Sequence, residues 1–431
     1  MIVAVVGLGK IGLPLAVQAA TRGLTAIGAD ISTDTVDLVN RGEEPFPGET
    51  DLGTKLKDVV DRGTLSATSD TAAAVRESDA VIVVVPLVVD ADADADFGAL
   101  DAATADIGRG LTAGTLVSYE TTLPVGTTRN RFVPALEAAS GLTCGEDFFV
   151  VFSPERVYSG RIFRDLRRYP KLVGGVDAAS TARGIEFYEA MLEFDERPDL
   201  STPNGVWDMG SAEAAEFAKL AETTYRDVNI GLANEFARFA DTAGIDVVRV
   251  IEASNSQPFS HIHQPGIAVG GHCIPVYPRF YLANHPDARV PAAARTANAE
   301  MPDYAVSRLE SVIGSLNGEK VVVLGACYRG GVKETAFSGV FATVDALAAR
   351  GAHPVVHDPL FSDDELRALG FEPHELGTAC DAAVIQADHP EYTTLTPADL
   401  PGCRAILDGR RCLSTSPEFA LESIPVVLLG G

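Results

Sequence analysis

The chain is predicted to be an α/β protein made of two doubly wound domains joined by a long central helix. Three observations carry that prediction. An apolar run at 2–6 feeds into Gly7-Leu8-Gly9-Lys10-Ile11-Gly12, a helical apolar pattern follows over 13–20, and the next apolar run, 25–30, ends on Asp30. A second alternation of apolar runs and helical patterns begins at Lys320. Between them, 211–243 holds the longest uninterrupted helical pattern of the chain. Both ends therefore read as Rossmann-like, and the chain divides into 1–200, 201–300 and 301–431.

The totals agree with several domains. At 431 residues and 46% apolar content, the chain exceeds one comfortable core and can fill two or three. A formal net charge of -26 argues against non-specific binding to nucleic acid or to an anionic membrane surface. No apolar run reaches transmembrane length, and the opening residues enter a strand pattern without a basic region, unlike a signal peptide. Six scattered cysteines without metal-ligand spacing read as reduced thiols in a cytoplasm.

In chain order, the glycines come first. Gly7, Gly9 and Gly12, with Lys10 and Ile11 between, are set to let a pyrophosphate approach the N-terminus of the following helix, where free amides and the helix dipole favour negative charge. Asp30, eighteen positions beyond Gly12, suits the ribose hydroxyls and repels a 2'-phosphate, so the expected cofactor is NAD. Apolar runs at 80–85, 115–119 and 148–153 continue a parallel sheet. Alternating carboxylates at 90–96 fit a solvated loop better than a cation site, because no turn glycine completes an oxygen-ligand pattern. Two strand ends carry polar groups: Glu120-Thr121-Thr122-Leu123-Pro124 and Ser153-Pro154-Glu155-Arg156, the latter readable as a site or as a surface ion pair.

The central helix is expected to be capped by Ser211 and ended by Gly244. Phe217, Leu220, Ala221, Tyr225, Leu232, Phe236 and Phe239 make its expected buried stripe. About thirty residues span about 45 Å, enough to join two domains and to pack against a second subunit. Lys219 and Thr223 share one face. Beyond it lies Gly266-Ile-Ala-Val-Gly-Gly-His-Cys-Ile-Pro-Val-Tyr-Pro278, where Gly270 and Gly271 permit close backbone approach and Pro275 and Pro278 are expected to forbid a regular helix just downstream. Cys273 is the candidate nucleophile on this shaped loop. In the last third, strands are expected at 320–324, 354–357, 382–386, 405–407 and 425–429. Arg329, Lys333, Arg410 and Arg411 lie just past strand ends, and cations gathered at one edge of an acidic protein fit anion binding.

Gly-Gly-His-Cys-Ile-Pro, Ser-Pro-Glu-Arg, Ala-Lys-Leu-Ala-Glu-Thr-Thr-Tyr-Arg-Asp-Val-Asn and Asp-Gly-Arg-Arg occur together in this chain. In that order they resemble the UDP-glucose/GDP-mannose dehydrogenase family, above all its branch acting on UDP-N-acetylhexosamines. The resemblance runs over the whole length. It implies an N-terminal NAD domain, a central helix used in homodimerisation, and a C-terminal nucleotide-sugar domain. It also implies a four-electron oxidation of a C6 primary alcohol to a carboxylate, using two NAD, through a cysteine thiohemiacetal and thioester. By resemblance, Cys273 is the nucleophile, Lys219 stabilises the oxyanion, Glu155 assists hydrolysis and Thr122 places a water, while Arg329 and Arg410 bind the nucleotide sugar. Gly270, Gly271 and Lys333 are expected beside that substrate, and no metal is implied.

Several positions depart from the family. Tyr277 stands where an acid/base Asp is usual, Thr223 where Asn is usual, and Ala336 where an Arg is expected, with Lys333 nearby. The loop before the cysteine, Asn255-Ser-Gln-Pro-Phe-Ser-His-Ile-His263, lacks the family arginine. His261 and His263 have no third ligand in sequence to make a metal site. Two other readings share these residues: a related NAD oxidoreductase on another nucleotide or nucleoside that stops at the aldehyde, and a catalytically silent NAD- and nucleotide-binding protein.

Overall fold

A computed structural model describes residues 1–89, 95–413 and 424–431. The chain forms two compact units: 1–222 with 279–284, and 223–278 with 285–431.

The first unit is organised on an eight-stranded sheet. Its strands are β1 (Ile2–Val6), β2 (Thr25–Ala29), β3 (Leu65–Thr68), β4 (Ala80–Val83), β7 (Leu116–Tyr119), β8 (Phe149–Phe152), β9 (Lys171–Gly175) and β10 (Val206–Asp208); β5 (Val88–Val89) and β6 (Ala95–Asp96) pair separately. The order is β10-β9-β8-β7-β4-β1-β2-β3, with the direction of winding reversing between β1 and β4. All neighbours are parallel except β8 and β9. Val3, Val5, Val81, Ile82, Val117 and Val151 are fully buried, as expected for strands covered on both faces. Most of the 90–96 carboxylates, residues 90–94, lie outside the described residues.

Three of these strands, β3, β9 and β10, are not evident as apolar runs. The β9 segment Lys171-Leu-Val-Gly-Gly opens on a charge and closes on two glycines, a pattern that reads as a turn. The glycines are demanded by packing: a Cβ on Gly174 would lie 1.9 Å from the Ser211 carbonyl oxygen, and one on Gly175 would lie 2.3 Å from the Thr181 nitrogen.

The second unit holds a five-stranded parallel sheet of β11 (Lys320–Leu324), β12 (His353–His357), β13 (Ala382–Ile385), β14 (Ile406–Asp408) and β15 (Val426–Leu428), in the order β12-β11-β13-β14-β15. The expected strands occur within a residue or two. Val321, Val323, Val384 and Leu407 fill one face of its core, and Val322, Leu324, Ala383 and Ile385 the other.

The long helix runs Ala212–Ala243. Ser211 Oγ accepts from the Ala214 amide at 3.1 Å, and Gly244 follows at φ +65°. The expected buried stripe is corrected: Leu220 is buried, but Phe217, Ala221, Tyr225, Leu232, Phe236 and Phe239 are exposed, Phe239 by 67%. Between 223 and 243 the buried side is instead small and polar. A Cβ on Gly231 would approach Ala294 Cα at 3.1 Å, Ala233, Ala237 and Ala240 are buried, and Asn234 and Asp227 bond to Asn298 at 2.8 Å. Small residues admit a close helix neighbour, Arg289–Ala299, which leaves the aromatic side outward.

Candidate active site

At the end of β1 the glycine turn is tightly specified. Gly7 sits at φ +92°, and its carbonyl oxygen would lie 1.8 Å from a Cβ on Gly12. A Cβ on Gly9 would meet nothing within 4 Å, so the turn has an open side at the head of helix Gly12–Thr21. Ile11, the residue before that helix, makes no side-chain cap bond, and Lys10 is exposed. Asp30 is aimed by two amides: Leu8 N–H donates to Oδ2 at 2.7 Å and Ser32 N–H to Oδ1 at 2.9 Å. An open glycine cradle, available helix amides and a fixed carboxylate at the end of β2 fit the pyrophosphate and ribose of NAD.

The carboxyl ends of β7 and β8 carry a buried ionic cluster. Lys171 Nζ donates to Glu120 Oε2 at 2.7 Å and to Glu155 Oε2 at 3.0 Å, with the lysine side chain 4% exposed. Glu155 Oε1 accepts from the Arg156 amide at 2.7 Å and the Val157 amide at 3.3 Å. Glu120 Oε1 accepts from the Tyr188 hydroxyl at 2.6 Å, which lies 2.6 Å from Ser118 Oγ. Burial pushes the Glu120 carboxyl up to about 7, against the pull of Lys171. Burial acts on Glu155 in the same sense, but Lys171, the Arg156 amide and Lys219 outweigh it and hold Glu155 below the usual carboxylate range. The Arg156 side chain turns to Glu222 at 3.3 Å, so Glu155 takes Lys171 as its partner and forms no surface pair.

The loops around this cluster are pinned by other carboxylates. Glu49 accepts from the Gly160 amide at 2.6 Å and the Ile162 amide at 2.7 Å, fixing the segment after Glu155. Thr122 is buried in the loop after β7. Glu216, on the first turns of the long helix, accepts from the Gly126 amide at 2.5 Å, the Thr128 amide at 2.9 Å and the Thr128 hydroxyl at 2.7 Å. Burial raises its carboxyl to about 7. Lys219, one turn further, is half-buried and bears electrostatically on Glu155. Glu49, Glu120 and Lys171 were not among the expected site residues, and the one sequence signal was Glu120 at a strand end.

In the second unit, Cys273 is exposed on the loop 266–278. The loop is clamped to the turn after β11: Gly271, at φ +92°, donates to the Ala336 carbonyl at 2.9 Å, and a Cβ on Gly270 would sit 2.6 Å from Tyr328 Cβ. The Gly266 amide donates to Asn234 Oδ1 at 3.0 Å. The Cys273 carbonyl accepts from the Tyr277 amide at 2.9 Å, starting the turn into helix Tyr277–Asn284. The expectation that prolines exclude a helix here is corrected. Pro278 occupies the first turn, where a missing N–H costs nothing. Thr223 is buried on the long helix and Tyr277 half-buried.

The cations divide. Arg410 spans three strand ends, with Nε donating to the Gln386 carbonyl at 2.8 Å and Nη2 to the Tyr328 carbonyl at 3.3 Å, where β11, β13 and β14 finish. Burial lowers the pKa of both Arg329 and Arg410, and Asp388 opposes that on each. Arg410 thus reaches the residue before Arg329, in the turn after β11, where the order of the second sheet reverses. Lys333 instead pairs with Glu365 at 2.5 Å, and Arg411 bonds the Leu429 carbonyl at 2.9 Å. The turn holding Arg329 is locked from beneath. Asp358 Oδ2 accepts from the Ala326 amide at 2.7 Å, the Cys327 amide at 3.1 Å and His389 Nε2 at 3.1 Å, while His389 Nδ1 accepts from the Gly331 amide at 3.3 Å.

Comparisons with known proteins cover the whole chain. Three models of the UDP-glucose/GDP-mannose dehydrogenase family match in succession: the NAD binding domain over residues 1–192, the central domain over 213–302 and the UDP binding domain over 322–415. The UDP-N-acetyl-D-mannosamine dehydrogenase of Pyrococcus horikoshii is 33% identical over 425 residues, covering 97% of each chain. The solved UDP-D-ManNAc dehydrogenase structure from that organism superposes with a TM-score of 0.87 at 30% identity, over 100% of this chain and 99% of that one. A UDP-glucose dehydrogenase from Pyrobaculum islandicum gives 0.85 at 25% identity, over 99% and 96%.

Proposed function

Because the chain belongs to the UDP-glucose/GDP-mannose dehydrogenase family and carries both its NAD binding and its UDP binding domain, we propose that it oxidises the C6 hydroxyl of a UDP-N-acetylhexosamine to the carboxylate. The names of its relatives point to that sugar class. The observation that carries the reading is Cys273, exposed on a loop whose glycines are clamped to the turn bearing Arg329.

The glycine turn and Asp30 would hold NAD, which would supply the acceptor for hydride from C6. The residues of the chain do the rest. Arg329 and Arg410 hold the diphosphate, and Gly270 and Gly271 let the backbone approach the sugar. Lys219 stabilises the oxyanion that develops as water takes the hydroxyl proton and as the Cys273 thiolate adds to the aldehyde. The thiohemiacetal becomes a thioester as its hydroxyl proton passes to water and its hydride to the acceptor that a second NAD would supply. Glu155, kept ionised, takes a proton from the water that cleaves it, with Thr122 helping to place that water. Tyr277 donates a hydrogen bond where the family's Asp would act as a base. Lys333, paired with Glu365, is given no contact with substrate.

We assign the division of labour as NAD binding in 1–200, catalysis and dimerisation in 201–300 and nucleotide-sugar binding in 301–431. The exposed face of Tyr225, Leu232, Phe236 and Phe239 is the surface on which two chains would pair. Among the described residues no helix is long and apolar enough to cross a membrane, and all six cysteines are free thiols, which fits action in the cytoplasm. The test is turnover of candidate UDP-sugars with NAD, followed at the absorbance of the reduced cofactor. Two reduced cofactors per sugar are expected. One per sugar would mean an enzyme that stops at the aldehyde, and none with any nucleotide sugar would remove the proposal.

A further inference from the structure

We propose that Lys171 is a positioning residue for thioester cleavage, holding Glu155 in one orientation and in its ionised form, with Glu120 as counterweight. The inference rests on the reading that Glu155 assists hydrolysis.

The argument begins with topology. A parallel strand brings only its last residues to the carboxyl edge of a sheet, where sites of this fold form. Strand β9 is antiparallel to β8, with Phe152 opposite Gly174, and the same register carried three residues onward sets position 155 opposite 171. Strand β9, reversed together with its parallel neighbour β10, therefore delivers its first residue to the catalytic edge.

What it delivers is an ammonium group shared by two carboxylates. Each oxygen of Glu155 has a partner, Oε1 two amides and Oε2 Lys171, so the carboxylate has one orientation. Each oxygen of Glu120 is also engaged, by Tyr188 and Lys171. The two acids share one buried lysine, with half-buried Lys219 adding positive charge on the Glu155 side only, so one acid takes up a proton more readily than the other. The environment makes that acid Glu120, which is fully enclosed, and leaves Glu155 as the base. Lys171 also stands 4.8 Å from the Tyr188 ring centre, which adds a second hold on its position.

The experiment compares Lys171→Met, Lys171→Arg and Glu120→Gln with the unaltered enzyme, reading kcat and KM against pH and the intact mass of acid-quenched enzyme. Lys171→Met is expected to lower kcat about 100-fold with KM changed less than about 3-fold. Its acid limb should move to higher pH, and the acyl adduct on Cys273 should accumulate. Glu120→Gln, which stands in for the protonated acid, should leave the acid limb in place; Lys171→Arg, keeping the charge, should recover most of the activity. If Lys171→Met does not fold, the unmoved Glu120→Gln limb and the Lys171→Arg rescue still decide. An unshifted Lys171→Met limb, a displaced Glu120→Gln limb, failure of Lys171→Arg to recover activity, or a slower Lys171→Met without adduct overturns the inference. Glu155→Gln separates it from its premise: no adduct in that variant would remove the hydrolytic role of Glu155 itself.

Discussion

Asp30 shows how a residue becomes specific only through its surroundings. The sequence places an acid at a strand end; the fold adds two amide bonds that aim both oxygens, leaving lone pairs for ribose hydroxyls. Replacing Asp30 with Ser should raise the KM for NAD about 10- to 100-fold, the worth of one or two charge-assisted bonds, while kcat changes little. A KM unchanged in steady-state titration would mean that the cofactor does not use this carboxylate. The glycine turn, the strand-end position of Asp30 and the loop that exposes Cys273 were legible because each sits in a local motif. Lys171 was not. Its partners lie 51 and 16 positions away, and nothing within reach along the chain marks a buried lysine.

The turn after β11 is the element on which the second unit's site depends, and Asp358 is its keystone. Burial alone would raise this carboxyl, but the bonds from His389 and from the Leu360 and Cys327 amides dominate and hold it at about 2. A carboxylate held below its ordinary value stabilises the fold at pH above about 4, and that contribution disappears as the pH falls toward 2. Asp358→Asn should therefore destabilise the protein by about 3 kcal/mol at neutral pH, with a smaller difference from the unaltered protein in strong acid. Denaturant melts at several pH values measure this; a difference that does not shrink in acid would assign the cost to something other than charge. The strands of both sheets were legible from apolar runs, since strands buried on both faces have little choice of composition. The exceptions, β3, β9 and β10, have edge positions or glycines that packing requires and local pattern hides. The helix Tyr277–Asn284 was hidden in the same way, by prolines read as breakers when one of them starts it.

At the scale of the whole molecule, the long helix carries the main lesson about amphipathic patterns. The period of its apolar residues gave the helix correctly, but not which side faces inward: small and polar residues pack within the second unit, while Tyr225, Leu232, Phe236 and Phe239 face out. Such a face is costly to leave in water, about 25 cal/mol per Å² of apolar surface, and a second chain is the proposed cover. Phe236→Glu with Phe239→Glu should turn a dimer into a monomer by light scattering; a mass unchanged from the unaltered protein would place the interface elsewhere. The central claim remains that Cys273 carries the sugar through the second oxidation. Its most direct test is Cys273→Ser, incubated with a nucleotide sugar that the unaltered enzyme turns over and NAD, with products weighed by mass spectrometry. The account predicts no carboxylate product and no second reduced cofactor; carboxylate formed at the unaltered rate would contradict it.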